Sequence, residues 1–207
     1  MSWNVNELLR KYLIFGSQNC RHDPEKVLEE AIKGGITAFQ FREKGLRSLE
    51  GEEKAELGWK LRLLCRKHSI PFFINDDIDL ADRLEVDGIH VGQDDMSAQE
   101  LRKRFPDKII GLSVSNDREV EQSPIKSVDY LGAGPMFPTA TKEDVKPVVG
   151  VQWIQKLKSN YPDLPVVGIG GITTSNAYQV MEAGAQGVAV ISAVTHAHNI
   201  IETVHKL

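Results

Sequence analysis

One phrase recurs along this chain and leaves few folds open to it. EEAIKGGITAFQF, ADRLEVDGIHVGQ and VMEAGAQGVAVIS each run from a helix end, through a glycine or small-residue stop, into a buried strand. Reading outward from these, strand patterns fall at Tyr12 to Gly16, Ile36 to Phe41, Ile70 to Asn75, Asp87 to Gly92, Lys108 to Val114, Val128 to Gly134, Leu164 to Gly170 and Gly187 to Ser192. Helix patterns lie between most of them: Pro24 to Lys33 behind an Asp23 cap, Leu49 to His68, a helix through Leu80 and Leu84, Ala98 to Arg104, Val151 to Ser159, Ser175 to Ala183 and His198 to His205. A short opening helix, Asn4 to Arg10, precedes the first strand. A repeat of about 18 to 30 residues suits βα units.

Strands apolar on both faces and alternating with helices imply a parallel sheet covered on both sides. Eight such units predict an α/β fold, a single (β/α)8 TIM barrel domain over residues 1–207; an open doubly wound sheet is the alternative. A length of 207 residues leaves little room for anything else. The net charge of −4 argues against a nucleic-acid or membrane-surface partner, since both require a basic face. Small molecules are the expected partners, and the sequence leaves a homo-oligomer open. Only Cys20 and Cys65 are present, with no disulfide framework or metal-binding spacing, which fits a reduced cytoplasmic setting.

In a barrel of this kind the active site is built from the loops after the C-terminal strand ends. The polar residues at those positions are Gln40, Arg42 and Lys44 after strand two, Asn75 and Asp76 after strand three, Asp95 after strand four, Ser113 on strand five, and Thr139, Thr141 and Lys142 after strand six. Asp76 and Asp95 follow neighbouring strands, so both carboxylates can meet one hard cation such as Mg2+; either one alone reads first as a helix cap or a solvated loop acid. Arg42, Lys44 and Lys142 beside such a cation describe a diphosphate site. GIGG, Gly168 to Gly171, and Ile191-Ser192 each precede a helix, which suggests a second anion site of backbone N–H groups. The long loop GPMFPTATKED, Gly134 to Asp144, reads as a lid across both. His90 reads either as a core imidazole or as a ligand contact at the rim, and Trp59, Cys65 and Met181 read as packing residues.

The set QFREKG, IPFFINDD, DGIHVGQDD, GLSVS, GPMFPTATK, VVGIGGI and GVAVISA, in this order, resembles the thiamine-phosphate synthase family along nearly the whole chain. The resemblance implies a transferase of thiamine biosynthesis. It would join 4-amino-5-hydroxymethyl-2-methylpyrimidine diphosphate to 4-methyl-5-hydroxyethylthiazole phosphate, with Mg2+ as cofactor, releasing diphosphate before the thiazole nitrogen captures a pyrimidine methyl cation. It implies substrate contacts from Gln40, Phe41, Arg42, Glu43 and Lys44, with Gln40 on the pyrimidine, and a diphosphate held by Arg42, Lys44, Asn75, Ser113 and Lys142. Of these Arg42, Lys44, Ser113 and Lys142 would be catalytic. Asp76 and Asp95 would be the metal ligands, Thr139, Ala140 and Thr141 would line the thiazole side, and Gly171, Ile191 and Ser192 would hold its phosphate. The related thiazole tautomerase carries a histidine where this chain has Ser115, which disfavours that activity. A barrel that binds such precursors without turnover is the other alternative.

Overall fold

Eight short strands hydrogen-bond side by side in chain order, and the last pairs with the first, giving a closed parallel barrel. This is a (β/α)8 barrel in a computed structural model that describes residues 3–139, 141 and 146–207. The strands are β1 Lys11–Phe15, β2 Ala38–Phe41, β3 Phe72–Asn75, β4 Gly88–Val91, β5 Ile109–Val114, β6 Tyr130–Ala133, β7 Val166–Ile169 and β8 Gly187–Val190. All but β1 lie inside the predicted spans and are shorter, because the flanking residues belong to the turns; β1 keeps the predicted length and starts one residue earlier, at Lys11. The helices are α1 Val5–Leu8, α2 Pro24–Lys33, α3 Gly51–Lys67, α4 Ile78–Arg83, α5 Ala98–Arg104, α6 Asp117–Gln122, α7 Gln152–Asn160, α8 Ala177–Glu182, α9 Ser192–Thr195 and α10 Ile200–His205. Among the described residues no helix is long and apolar enough to cross a membrane.

Period-two alternation in the strands sorts side chains into two cores. Phe15, Phe39, Phe41, Phe72 and Ile74 point outward and are buried with Leu28, Leu61 and Ile154 from the helices. Tyr12, Ile14, Ala38, Phe73, Tyr130, Val167 and Ala189 point inward and form a separate cluster, joined at one end by Leu8 and Leu9. Large inward rings are matched by glycines on neighbouring strands. A Cβ on Gly88 would come within 2.2 Å of the Phe73 ring, and one on Gly111 within 2.1 Å of Tyr130.

Two helices were not expected from the sequence. α6 buries only Val120, so it offers no apolar stripe to read. Its signal is the cap: Asn116 Oδ1 accepts the Glu119 N–H at 3.0 Å. α9 is a single turn inserted straight after β8. Cys65 is buried as expected, but Trp59 and Met181 are 43% and 40% exposed. Their apolar spacing continues beyond the part of each helix that the barrel covers.

Candidate active site

A cavity of about 350 Å³ opens where the strands end, and it is lined from both sides of the barrel. One side is polar and charged. β2 leads into Arg42 and Lys44, β3 ends in Asn75 and Asp76, the turn after β4 carries Asp95, and β5 supplies Ser113; all six line the cavity. The backbone fixes these positions before any ligand arrives. Arg42 N–H donates to Phe15 O at 2.9 Å, and Gln18 Nε2 donates to the carbonyls of both Arg42 and Lys44 at 3.0 Å. Asp76 sits at φ +49°, in the left-handed region, with its N–H donating to His90 O at 3.0 Å. Such a conformation in a residue other than glycine is uncommon and turns the side chain toward the barrel mouth.

The charges meet around Lys44. Its ammonium donates to Asp76 Oδ2 and lies 3.9 Å from Asp95 Oδ1, so both carboxylates face one positive charge. The hydrogen bond to Asp76 holds the Lys44 ammonium above the usual lysine range, with attraction to both aspartates outweighing partial burial. Asp95 Oδ2 accepts the Gly92 N–H at 2.7 Å, which leaves Oδ1 toward the cavity. Among the described residues no group of three or more His, Cys, Asp or Glu side chains could hold a metal. Two carboxylates directed at one point nevertheless match Mg2+, which commonly takes one or two carboxylates and fills its remaining positions with water and phosphate oxygens.

The opposite side is built from β7, β8 and the segment after β6. Gly170 and Gly171 adopt φ +96° and +65°, and a Cβ on Gly171 would come within 2.6 Å of Pro138 O. Here glycine is required both by conformation and by close backbone approach. Thr141 Oγ1 lies 3.2 Å from Ser192 Oγ, which ties the segment after β6 to the start of α9. Thr139, Thr141, Gly171, Ile191 and Ser192 all line the cavity.

Below the floor runs a row of polar groups inside the barrel. Gln40 Nε2 donates to Tyr12 Oη at 2.7 Å, Tyr12 Oη lies 3.1 Å from Tyr130 Oη, Tyr130 Oη lies 2.9 Å from His90 Nδ1, and His90 Nε2 lies 2.8 Å from Ser113 Oγ. His90 therefore fits both readings of the sequence: it bonds within the barrel and also lines the cavity.

Three residues expected at the substrate do not line the cavity. Gln40 is 1% exposed and lies beneath the cavity, bonded to Tyr12, instead of lining it. Phe41 faces the helical layer, where its ring packs near Phe72 and Gly58, because alternation sends every second side chain of β2 outward. Glu43 is buried and turned to the neighbouring loops, accepting from Ser17 N–H, Ser17 Oγ–H and Leu49 N–H at 2.6 to 2.7 Å. Its role is to clasp the turn that carries Arg42 and Lys44. Ala140 and Lys142 lie outside the described residues. Gln93, Asp94 and Lys146, which the sequence did not single out as site residues, also line the cavity, as does Ser115, which was weighed there only against a tautomerase. Gln93 Nε2 donates to Ser113 O at 2.8 Å, and Lys146 pairs with Glu119 at 2.8 Å. Polar residues next to a strand-end turn were the available signal for Gln93 and Asp94.

A family described as thiamine monophosphate synthase matches residues 11–194, which includes every strand but none of α1 or α10. The chain belongs to the thiamine monophosphate synthase family. The thiamine-phosphate synthase of Oceanobacillus iheyensis is 55% identical over 200 residues, covering 97% of each chain. That of Anoxybacillus flavithermus is 49% identical over 203 residues, covering 98% of this chain and 94% of the relative. Among solved structures, the thiamine phosphate pyrophosphorylase of Pyrococcus furiosus superposes with a TM-score of 0.86 at 34% identity, covering 99% of this chain and 96% of that one. Family membership extends over the whole barrel, and so over both sides of the cavity.

Proposed function

We propose that this chain is a thiamine-phosphate synthase. It condenses 4-amino-5-hydroxymethyl-2-methylpyrimidine diphosphate with 4-methyl-5-hydroxyethylthiazole phosphate to give thiamine phosphate and diphosphate. The observation that carries this reading is the convergence of Arg42, Lys44, Asn75, Asp76, Asp95 and Ser113 on one side of a cavity whose other side holds Gly171 and Ser192. The first group suits a diphosphate, and the backbone N–H groups of the second suit a monophosphate. The family and its relatives at 55% and 49% identity support the same reaction.

The chemistry asks the protein for no nucleophile. As the bond between the pyrimidine methylene carbon and oxygen breaks, its electron pair leaves with the diphosphate, and the thiazole nitrogen then donates its own pair to the methylene carbon. Arg42 and Lys44 offset the charge that grows on the leaving oxygens, and Asn75 and Ser113 orient them. Asp76 and Asp95 would hold Mg2+, which neutralises diphosphate oxygens and improves the leaving group. The opposite wall places the thiazole so that two bound rings react as one unit. Lys142 keeps the diphosphate role that its motif implies. Ser115 offers a hydroxyl where a tautomerase would need an imidazole. Two free cysteines and a negative net charge fit a cytoplasmic enzyme of small molecules, built as one domain over residues 1–207.

The test is to incubate the protein with both substrates and Mg2+ and to follow thiamine phosphate and diphosphate together. Stoichiometric appearance of both is expected. Binding of both substrates without product would overturn the assignment.

A further inference from the structure

The row of hydrogen bonds under the cavity has a direction, and its chemistry can be read from one end. The Gln40 nitrogen can only donate, so Tyr12 Oη is an acceptor on that side. Tyr12 is 1% exposed, and among the described residues its hydroxyl has one further partner, Tyr130. If Tyr130 donated to Tyr12, the Tyr12 proton would be buried without an acceptor, which leaves the full desolvation penalty of that donor unrelieved. Tyr12 therefore donates to Tyr130, and Tyr130, whose single proton is then free, donates to His90 Nδ1. A histidine that accepts at Nδ1 carries its proton at Nε2, 2.8 Å from Ser113 Oγ. The Ser113 oxygen accepts that proton's hydrogen bond, so its own O–H is left to point into the cavity.

We propose that Gln40, Tyr12, Tyr130 and His90 form a one-way relay of positioning residues that fixes His90 as its Nε2–H tautomer and presents the Ser113 hydroxyl as a donor to an anionic ligand. This inference rests on the synthase reading only for the identity of that anion. The local packing keeps the row in place. A Cβ on Gly132 would come within 3.0 Å of the His90 ring, and one on Gly111 would meet Tyr130, so both partners lie against bare backbone. Burial raises both phenols well above the ordinary tyrosine range, and each keeps its proton at neutral pH. The relay moves no net proton. It sets orientation, and an anion at Ser113 gains a hydrogen bond that a randomly oriented hydroxyl would supply only part of the time.

The tautomer can be measured without turnover. In the full-length protein, the ring-nitrogen NMR shifts of His90, assigned by their loss in His90→Gln, should show Nε2 protonated and Nδ1 bare. In Gln40→Glu the new carboxylate accepts from Tyr12, every bond in the row reverses, and the proton should move to Nδ1. If that variant does not fold, Tyr12→Phe serves instead and should give a mixture of both tautomers. Titration with inorganic diphosphate and Mg2+ gives the second readout. His90→Leu should bind about 10-fold more weakly, and His90→Gln, whose side-chain amide can still donate to Ser113, should recover most of that loss. An Nδ1–H tautomer in the unaltered protein overturns the relay, as does equal binding by the Leu and Gln variants. Failure of the coupling reaction with the expected tautomer present would instead overturn the synthase reading and leave the relay standing.

Discussion

At the scale of single residues, the decisive arrangement is Lys44 between Asp76 and Asp95. An ammonium that bonds to one carboxylate and lies near the other occupies the region where a divalent cation would bind. Lys44→Met keeps most of the length of the side chain and removes its charge, leaving two carboxylates without their cation. This variant should bind Mn2+ more tightly than the unaltered protein when no diphosphate is present. It should also lose about 10- to 100-fold in kcat/KM, because the proposed diphosphate site then has one cation fewer. Calorimetry and steady-state kinetics on the same preparation check both; weaker Mn2+ binding would show that lysine and metal do not compete. Asp76→Ala should raise the Mg2+ concentration needed for half-maximal turnover by about 10-fold or more, read from a metal titration of the coupling rate. Lys44 itself stays charged across the neutral range. Its pKa is raised in the folded protein, so the stability it adds is complete below the unfolded lysine value and fades only as pH rises through the folded one.

At the scale of elements, the turns after the strands set the site, and they depend on caps. Asp77 starts α4 by accepting the Leu80 N–H at 3.0 Å, and it also pairs with Lys54 of α3 at 2.7 Å. Burial alone would raise its pKa, but the Lys54 hydrogen bond, the Leu80 N–H and the Lys54 charge together hold it below the ordinary aspartate value. Asp77→Ala should cost about 1 kcal/mol in urea unfolding, with an unchanged m-value. The difference between the two proteins should be present above the unfolded aspartate pKa and shrink as pH falls through the folded one, since a protonated Asp77 is a poorer acceptor. A constant difference down to acid pH would mean that the loss comes from packing instead. These elements also show what could be read from the chain alone. β3 and β4 were visible because both their faces are buried, and Asp76 and Asp95 were visible because they end or follow such strands. α6 was hidden because only Val120 is buried along it. A motif names residues in a row, but each side chain here goes its own way: Phe41 turns to the helical layer by strand alternation, Gln40 points inward beneath the cavity, and Glu43, past the end of β2, is drawn to Ser17 and Leu49. The relay was out of reach because Tyr12 and Tyr130 stand 118 residues apart and meet only once the barrel has closed.

At the scale of the whole molecule, the barrel is filled by pairing a ring on one strand with a glycine on another, and this joins stability to function. Gly111 and Gly35 make the comparison. A Cβ on Gly111 would lie 2.1 Å from Tyr130 Cζ, inside the closed barrel, where the ring is fully buried and has no open side to move toward. Gly35 stands between α2 and β2 at φ +89°, and a Cβ there would meet nothing within 4 Å. Gly35→Ala thus costs only backbone strain, about 1 kcal/mol, with the cavity untouched. Gly111→Ala should cost about 1–3 kcal/mol or more through overpacking, and because Tyr130 carries the bond to His90, the ring's displacement should also weaken ligand binding. Urea unfolding measures the first effect and titration with inorganic diphosphate and Mg2+ the second. Equal stability losses, or a Gly111→Ala protein that binds diphosphate normally, would mean that the interior yields without disturbing the floor of the site. If the two effects appear together, the same packing that closes the barrel also holds the groups beneath the reacting center in register.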